Sequence, residues 1–406
     1  MKNGVRPSDP APVHLDKKST MQAEELIVIG GGLLGAAIAY GASRVGAPVT
    51  LLDQGDVAHR ASFGNFGLVW VQSKGDSSPR YARWCRDALS FWPALAQELH
   101  ELTGVDVALH QPGGIHLCFS DAEMQAREVM LDKINKSVGG IPYEMFDRAE
   151  IKARLPAIGP RVVGASYCPL DGHANPLKLL HALHAGLKAR GARVISSVDI
   201  KLVVHRRKGA GFEVTSLDGH SWRAPRVVLA AGLSNKVLAA QVGLQAPVLP
   251  NRGQMLITER LKPMMRYPTD GVRQTKEGSI QLGNSFEDVG LDSGTTVSVI
   301  ESIAKDALKS FPVLANVRLV RAWGCLRVLT PDSLPIYQES PSCPGAFVAT
   351  SHSGVSLAGI HAHVIGPWMA GLKGTPEEME EFSGERFLDT SRNFSNAFLN
   401  TYSNAH

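Results

Sequence analysis

The sequence predicts an α/β fold, α+β overall, in which a nucleotide-binding domain is interrupted along the chain by a domain with a mostly antiparallel sheet. Three observations lead there. "IVIGGGLLGAAIAYGASRVGAPVTLLD", Ile27 to Asp53, reads as strand, glycine turn, small-residue helix and second strand, which is one βαβ unit. Parallel-type signals return in "DGHANPLKLLHALHAGLKARGARVISS" and again in "AFVATSHSGVSLAGIHAHVIGPWMAG". Alternating strand patterns of antiparallel type fill the gaps between them.

At 406 residues the chain is too long for one small core, so two domains are expected. Residues 23–105, 160–245 and 320–374 are assigned to the nucleotide-binding domain, and 106–159 and 246–319 to a substrate domain. The opening 1–22 is polar and proline-bearing without an apolar core, so it reads as a disordered tail rather than a secretory signal. Residues 375–406 form a C-terminal extension. A formal net charge of +4, with bases and acids interleaved, excludes the electrostatic footprint of a nucleic-acid binder. Five cysteines without a CxxC pair fit reduced thiols and argue against a zinc site or an iron–sulfur cluster in this chain. No run approaches the roughly 18 apolar residues of a membrane helix. The expected location is cytoplasmic, and peripheral attachment to the inner membrane is compatible with it.

Element by element, Leu26 to Ile29 is a short buried strand, Leu33 to Arg44 a helix, and "PVTLLD" a second buried strand. Tyr81 to Leu102 has helical spacing, "GGIHLCFS" reads as a strand, and Asp121 to Lys136 as a charged amphipathic helix. "GFEVTSLDGHSWRAPRVVLAAG" reads as a strand, an Asp-Gly turn and a strand ending at Gly232. Pro247 to Gly290 alternates as strands, and Thr296 to Phe311 is a helix. A strand, a glycine loop and a long apolar helix close the domain, followed by an acidic soluble stretch from Thr375 to Gly384.

Gly30, Gly32 and Gly35 form GxGxxG between a strand and a helix. The first allows the tight turn and the second lets a diphosphate approach the backbone. The third lets helix and strand pack closely, with Leu33 and Leu34 opening the helix whose N-terminus faces the anion. Asp53, followed by Gln54, ends the next strand where a carboxylate accepts hydrogen bonds from a ribose diol. A nicotinamide, a flavin and a nucleotide sugar can all use such a loop.

Later segments separate these. "HRASFGNFGLV" carries Ser62, Asn65 and Gly67, and "VVLAAG" ends in Ala231 and Gly232. Val194 to Val198 is a strand, and "SHSGVSLA" supplies Gly354, Val355, Ser356 and Leu357. Together, over Glu25 to Gly371, these segments resemble the FAD-dependent amino-acid oxidase and dehydrogenase (D-amino-acid oxidase-like) family, which includes glycine oxidase, D-amino-acid dehydrogenase and sarcosine oxidase. The resemblance implies a Rossmann-like domain holding FAD non-covalently. In it the serine–asparagine–glycine segment wraps diphosphate and flavin, Val198 lies near the adenine, and the late glycine loop faces the flavin pyrimidine.

It also implies where substrate sits. In "WGCLRVLTPDSLPI", Arg327 matches the family arginine that clamps the substrate carboxylate, although Val328 stands where relatives often have proline. A guanidinium forks onto a carboxylate with two parallel hydrogen bonds. The alternative is a structural arginine paired with Asp332, which with Pro335 shapes the loop. His352 is the second candidate catalytic residue, at the edge of the flavin loop. Cys325, five residues before Thr330, is either a buried inert thiol or a flavin attachment point of the sarcosine-oxidase kind. Trp323 walls the pocket or fills the core. His173 and Asn175 approach the substrate or form a capped turn, and Arg252 and Gln254 in "NRGQM" read as architecture first.

Within the family, "ASYCPLDGHANPLKLLHALHAG", "VRQTKEG" and "PGAFVATSHSGVSLA" resemble the catalytic, or β, subunits of dehydrogenase complexes acting on D-hydroxyproline and on opines. The catalytic subunit of hydrogen cyanide synthase is similar too. This implies oxidation of a C–N bond to an imine by hydride transfer to flavin N5, with partner subunits carrying a second flavin and an iron–sulfur centre. Two alternatives stand beside it: a glycine or sarcosine oxidase-like enzyme using oxygen, and a non-catalytic flavoprotein subunit.

Overall fold

The computed structural model describes residues 26–55, 61–206 and 211–389, so the expected tail over 1–22 and the end of the chain from 390 lie outside the described residues. Its central sheet has six strands, in the order Ile336–Glu339, Ala346–Thr350, Arg226–Leu229, Leu26–Ile29, Val49–Leu52 and Arg193–Ile195. Neighbours run parallel except at the Ile336–Glu339 edge, which is antiparallel. The inner strands are almost continuously apolar because both faces are covered. Leu26 and Val28 face a core shared with the helices Leu33–Arg44 and Pro176–Ala189. Ile27 and Ile29 face the opposite core, which includes Val203, Phe212 and Val214 from a three-stranded antiparallel sheet. The period of two along this strand thus separates two cores.

A second pair of sheets carries the substrate side. Gly114–Cys118, Gly164–Cys168 and Glu144–Asp147 form one antiparallel sheet. Val272–Gln274, Ser279–Gly283, Leu249–Arg260 and Leu319–Leu329 form the other. A third core, with Ile115, Phe146, Leu256 and Ile280, packs between them and the helix Val297–Ser310.

Several boundaries differ from expectation. Leu319–Leu329 pairs along its length with Leu249–Arg260, so the start assigned to the nucleotide-binding segment 320–374 belongs by pairing to the antiparallel sheet. Gly164–Cys168 likewise leaves the 160–245 segment. The stretch with helical spacing over Tyr81 to Leu102 is helical and forms two helices, Pro79–Ser90 and Trp92–Thr103. Pro93 has no N–H to donate to the preceding turn, and the chain restarts at Phe91. The strand expected to run on to Gly232 is split at Pro225: Ser221–Ala224 stays in the small sheet, and Arg226–Leu229 enters the central one. The late apolar helix loosens into a π-turn at His361–Ile365 just before Pro367, for the same lack of a donor. The acidic stretch from Thr375 is not simply a solvated tail. Phe382 is fully buried against Trp84, Tyr337 and Tyr81, and its carbonyl accepts from the Tyr337 N–H.

Candidate functional site

The glycine turn sits at the carboxyl end of the first strand. Gly30 has φ +108, and a Cβ there would lie 2.3 Å from the Ala230 carbonyl oxygen. A Cβ on Gly35 would lie 1.9 Å from the Gly30 carbonyl oxygen, so that glycine serves helix–strand contact. Gly32 is different: its added Cβ would meet only the Ser62 side chain, at 2.9 Å. The helix behind it has neither an N-cap side chain of its own nor an acid in its first turn, which leaves its N-terminus suited to an anion. The Ser62 hydroxyl accepts from the Leu33 N–H at 2.9 Å, bringing the wrapping segment against this turn.

Asp53 is buried, accepting from the Gly31 N–H at 2.6 Å and the Gly55 N–H at 2.9 Å. Its own carbonyl accepts from the Val198 N–H at 2.9 Å; the strand expected over Val194 to Val198 is Arg193–Ile195, and Val198 lies in the loop that follows it. Gln54 donates to Asp199 at 3.0 Å. The Asn65 side chain accepts from the Gly67 N–H at 2.8 Å, holding the wrapping segment in a turn. In the late loop, the Ser356 hydroxyl accepts from the Trp70 N–H at 3.1 Å and donates to the Leu68 carbonyl at 3.0 Å.

These elements enclose one cleft with about 1910 Å³ of empty space, part of it open to solvent. Gly30, Gly32, Leu33, Leu34, Asp53, Gln54, Ser62, Asn65, Val198, Ala231, Gly232, Gly354, Val355 and Ser356 line it. Three of the expected cofactor residues stand behind its wall. Gly35 packs on the strand, Gly67 has φ +89 with its absent Cβ 2.5 Å from the Ala174 carbonyl oxygen, and Leu357 is buried in the first core.

At the other end Arg327 projects from Leu319–Leu329 into the same cleft. It donates to the Asn251 side chain at 3.0 Å, and its guanidinium lies 4.2 Å from the centre of the Phe286 ring. Asp332 pairs instead with Arg386 at 2.7 Å and shapes the loop through Thr330 and the Leu334 N–H, which removes the Arg327–Asp332 alternative. His352 lines the cleft beside them. Burial, with the Lys74 and Arg327 cations adding to it, holds this imidazole well below its ordinary value, so it is neutral. Cys325 also lines the cleft; its thiol lies 3.4 Å from the Gly64 carbonyl oxygen and is raised by burial.

His173 is a strut rather than a substrate contact. It pairs with Arg273 at 3.0 Å and is pushed down to about 3, chiefly by burial. Asn175 caps the following helix, accepting from the Leu177 and Lys178 N–H groups, each at 3.1 Å. Arg252 and Gln254 bind Glu287 at 2.6 and 2.9 Å, tying down the segment that carries Phe286. Trp323 does not line the cleft, and its buried indole nitrogen finds no hydrogen-bond partner among the described residues.

Residues that no sequence motif marked also build the cleft. Lys74 donates to the Ser353 hydroxyl at 2.9 Å. Asn235, fully buried behind the wall, donates to the Leu229 and Ala349 carbonyls and accepts from the Ala231 N–H, fastening the ends of two strands. Asp270, Asn284 and Phe286 line the cleft, and of these Phe286 lies against Arg327. None belongs to a short motif, so no local signal pointed to them. Among the described residues no cluster of His, Cys, Asp or Glu could hold a metal ion.

A glycine cradle, a helix N-terminus and a buried carboxylate at one end of a long cleft suit a dinucleotide, and comparison with known proteins identifies it. The family model described as DAO, FAD dependent oxidoreductase, matches residues 25–368. The chain belongs to this family. It is an FAD-dependent oxidoreductase with FAD as its cofactor. Among its relatives, the B subunit of opine oxidase from Rhizobium meliloti is 38% identical over 374 residues, covering 90% of this chain and 98% of the relative. Glycine oxidase of Bacillus licheniformis is 24% identical over 370 residues, 89% of this chain and 97% of the relative. Glycine oxidase from Geobacillus kaustophilus shares the fold, with a TM-score of 0.82 at 24% identity over 89% of this chain and 98% of that one. L-proline dehydrogenase from P. horikoshii does likewise, with a TM-score of 0.79 at 23% identity over 91% and 98%. Among the described residues no helix is long and apolar enough to cross a membrane.

Proposed function

We propose that this family member oxidises the C–N bond of a carboxylate-bearing amino acid or secondary amine, of the D-hydroxyproline, D-proline or opine kind, to the imine. It does so as the catalytic subunit of a dehydrogenase complex. The observation that carries this reading is Arg327 in the cleft, bound to the neutral amide of Asn251 while Asp332 is engaged by Arg386. The relatives that are B subunits of opine oxidase support both the substrate class and the existence of partner subunits.

FAD would be held at its diphosphate by the turn from Gly30 to Leu34 with Ser62, at its ribose by Asp53, and at its ring by the loop from His352 to Ser356. When bound, it supplies the two-electron, hydride-accepting centre. The chain's own residues do the rest. Arg327 takes the substrate carboxylate and so fixes the α-carbon, converting binding into orientation. Phe286 stacks on the guanidinium and limits its directions of approach. His352, neutral, is too weak a base to collect the proton of a substrate ammonium and acts as a polar wall. The amine therefore loses its proton to solvent before reaction, because its lone pair must stabilise the developing iminium. The raised Cys325 thiol remains protonated, in keeping with non-covalent FAD.

Anaerobic mixing with a panel containing D-proline, cis-4-hydroxy-D-proline, glycine, sarcosine, octopine and nopaline tests the reading. At least one secondary amine is expected to bleach the flavin absorbance, with slow recolouring in air as for a dehydrogenase. A flavin that no member bleaches rejects the reading, and rapid recolouring in air selects the oxidase alternative.

A further inference from the structure

Two cations stand among the described lining residues of the cleft, Lys74 and Arg327. Lys74 is only 8% exposed, so little water screens its charge. Its ammonium donates to the Ser353 hydroxyl at 2.9 Å, and the same hydroxyl lies 3.0 Å from His352 Nδ1. Ser353 opens the late glycine loop with φ +65, a left-handed conformation that a residue with a Cβ holds only where its surroundings fix it. The bond from Lys74 is one of those constraints.

The segment that carries Lys74 runs along this loop and is tied to it at both ends. At one end the Ser356 hydroxyl meets the Leu68 carbonyl and the Trp70 N–H, and at the other Lys74 meets Ser353. The segment is also braced from behind. The Val71 N–H donates to Asp171 at 2.6 Å, and the Lys74 N–H to the Val71 carbonyl at 2.9 Å. Buried Arg127 donates to the Gln72 carbonyl at 2.9 Å and to the Ser73 hydroxyl at 3.1 Å. The ammonium is thereby held in place by the fold itself, which is the condition for a fixed charge to act on a reaction without reorganising.

With its ribose on Asp53 and its diphosphate at the Gly32 turn, FAD extends its isoalloxazine into the remaining part of the cleft, which Trp70, Lys74 and His352 line. Accepting a hydride adds two electrons and one proton, so the ring gains one unit of negative charge while the substrate becomes a cation. His352 is neutral and cannot balance that charge, and Arg327 is engaged by the substrate carboxylate. We propose that Lys74 supplies the positive charge that stabilises the reduced ring and so raises the flavin's affinity for electrons, with Ser353 as the residue that positions it. This rests on the placement of the ring at the loop from His352 to Ser356 given above.

Two readouts on the FAD-loaded protein test this without any substrate. One is the two-electron midpoint potential, from anaerobic reduction against a reference dye. The other is the affinity for sulfite, which adds to an electron-poor flavin and bleaches it. In Lys74→Met, sulfite is expected to bind about 10- to 100-fold more weakly, and the potential to fall by the same factor, about 30–60 mV. Lys74→Arg keeps the charge and should retain most of both, and Ser353→Ala, which releases the ammonium, should fall between wild type and Lys74→Met. Tetrahydro-2-furoate, a proline analogue with oxygen in place of nitrogen, cannot be oxidised to an iminium and reports carboxylate binding. Its affinity should stay within about twofold in Lys74→Met, because the carboxylate sits on Arg327. A Lys74→Met potential within about 9 mV of the wild type, about a twofold effect, overturns the proposal. A loss for the furoate as large as that for sulfite also overturns it, since Lys74 would then hold carboxylates. If Lys74→Met does not keep its flavin, the wild type decides: a potential at or below that of free FAD overturns the proposal. A potential that depends on Lys74 in a flavin that no amine bleaches rejects C–N oxidation while leaving the role of Lys74 standing.

Discussion

Replacing Gly32 with alanine is expected to empty the protein of flavin without unfolding it. At Gly32 the backbone has φ −69 and ψ −179, a conformation alanine adopts freely. The new methyl group meets only the Ser62 hydroxyl, at 2.9 Å, and a serine side chain can rotate away. That rotation gives up the bond from the Leu33 N–H, worth about 1 kcal/mol. The lower entropy of the unfolded alanine chain offsets roughly 0.4–1 kcal/mol of it. Stability should therefore change by less than about 1 kcal/mol, which moves the Tm by no more than a few degrees. The methyl group nevertheless stands where the diphosphate must approach the helix N-terminus. Losing two charge-assisted hydrogen bonds at about 1.5–3 kcal/mol each weakens FAD by roughly 10²- to 10⁴-fold. The assay is the flavin-to-protein absorbance ratio, with FAD titration into the stripped protein and a thermal melt of each form. Gly30→Ala is the contrast, since its Cβ would lie 2.3 Å from a carbonyl oxygen at φ +108, and the fold itself should suffer. A Gly32→Ala protein with native flavin content and affinity, or one as unstable as Gly30→Ala, would refute the reasoning.

Further outcomes follow from the packing and the buried charges. Phe382→Ala removes a fully buried ring from the first core and should cost about 3–5 kcal/mol in chemical denaturation, whereas a cost below about 1 kcal/mol would return 375–389 to the status of a loose extension. Burial pushes Asp171 up to about 7 against the Val71 N–H that it accepts. Between the unfolded value near 4 and that folded value, the unfolded chain has lost the proton that the folded chain keeps. Stability attributable to this group therefore falls as pH rises through the window, by up to about 1.4 kcal/mol per pH unit, and levels off above it. Asp171→Asn should lack this decline, so melts of the two proteins from pH 5 to 7 should converge or cross, and parallel curves would reject the assignment. Acid precipitation should release the flavin into the supernatant; a yellow pellet would mean that Cys325 is a point of attachment.

Legibility in the sequence followed locality. The βαβ unit from Leu26 to Leu52 was readable because its strand runs, glycines and helix are all specified within a few residues of one another. The cleft's nucleotide end was readable for the same reason. The domain seams were not, because Leu319–Leu329 and Gly164–Cys168 take their sheet from partners far along the chain, and an alternating pattern does not name its neighbour. Proline decided the local differences at Pro225 and Pro367, where the side-chain pattern carries no sign of a missing donor. Arg327 was visible through its motif. Its setting was hidden, because Asn251 and Phe286 come from separate segments that only the folded chain brings to the guanidinium. Phe382 was hidden by its acidic surroundings, since a lone aromatic among glutamates carries no periodic signal.

The role of Arg327 is read most directly by anaerobic titration of the FAD-loaded wild type and of Arg327→Ala with the best substrate from the panel. The variant is expected to keep its flavin spectrum and its fold while substrate-dependent bleaching is lost or needs at least about 100-fold more substrate. A variant bleached at the wild-type substrate concentration would mean that the carboxylate is held elsewhere, and the account of the cleft would fail.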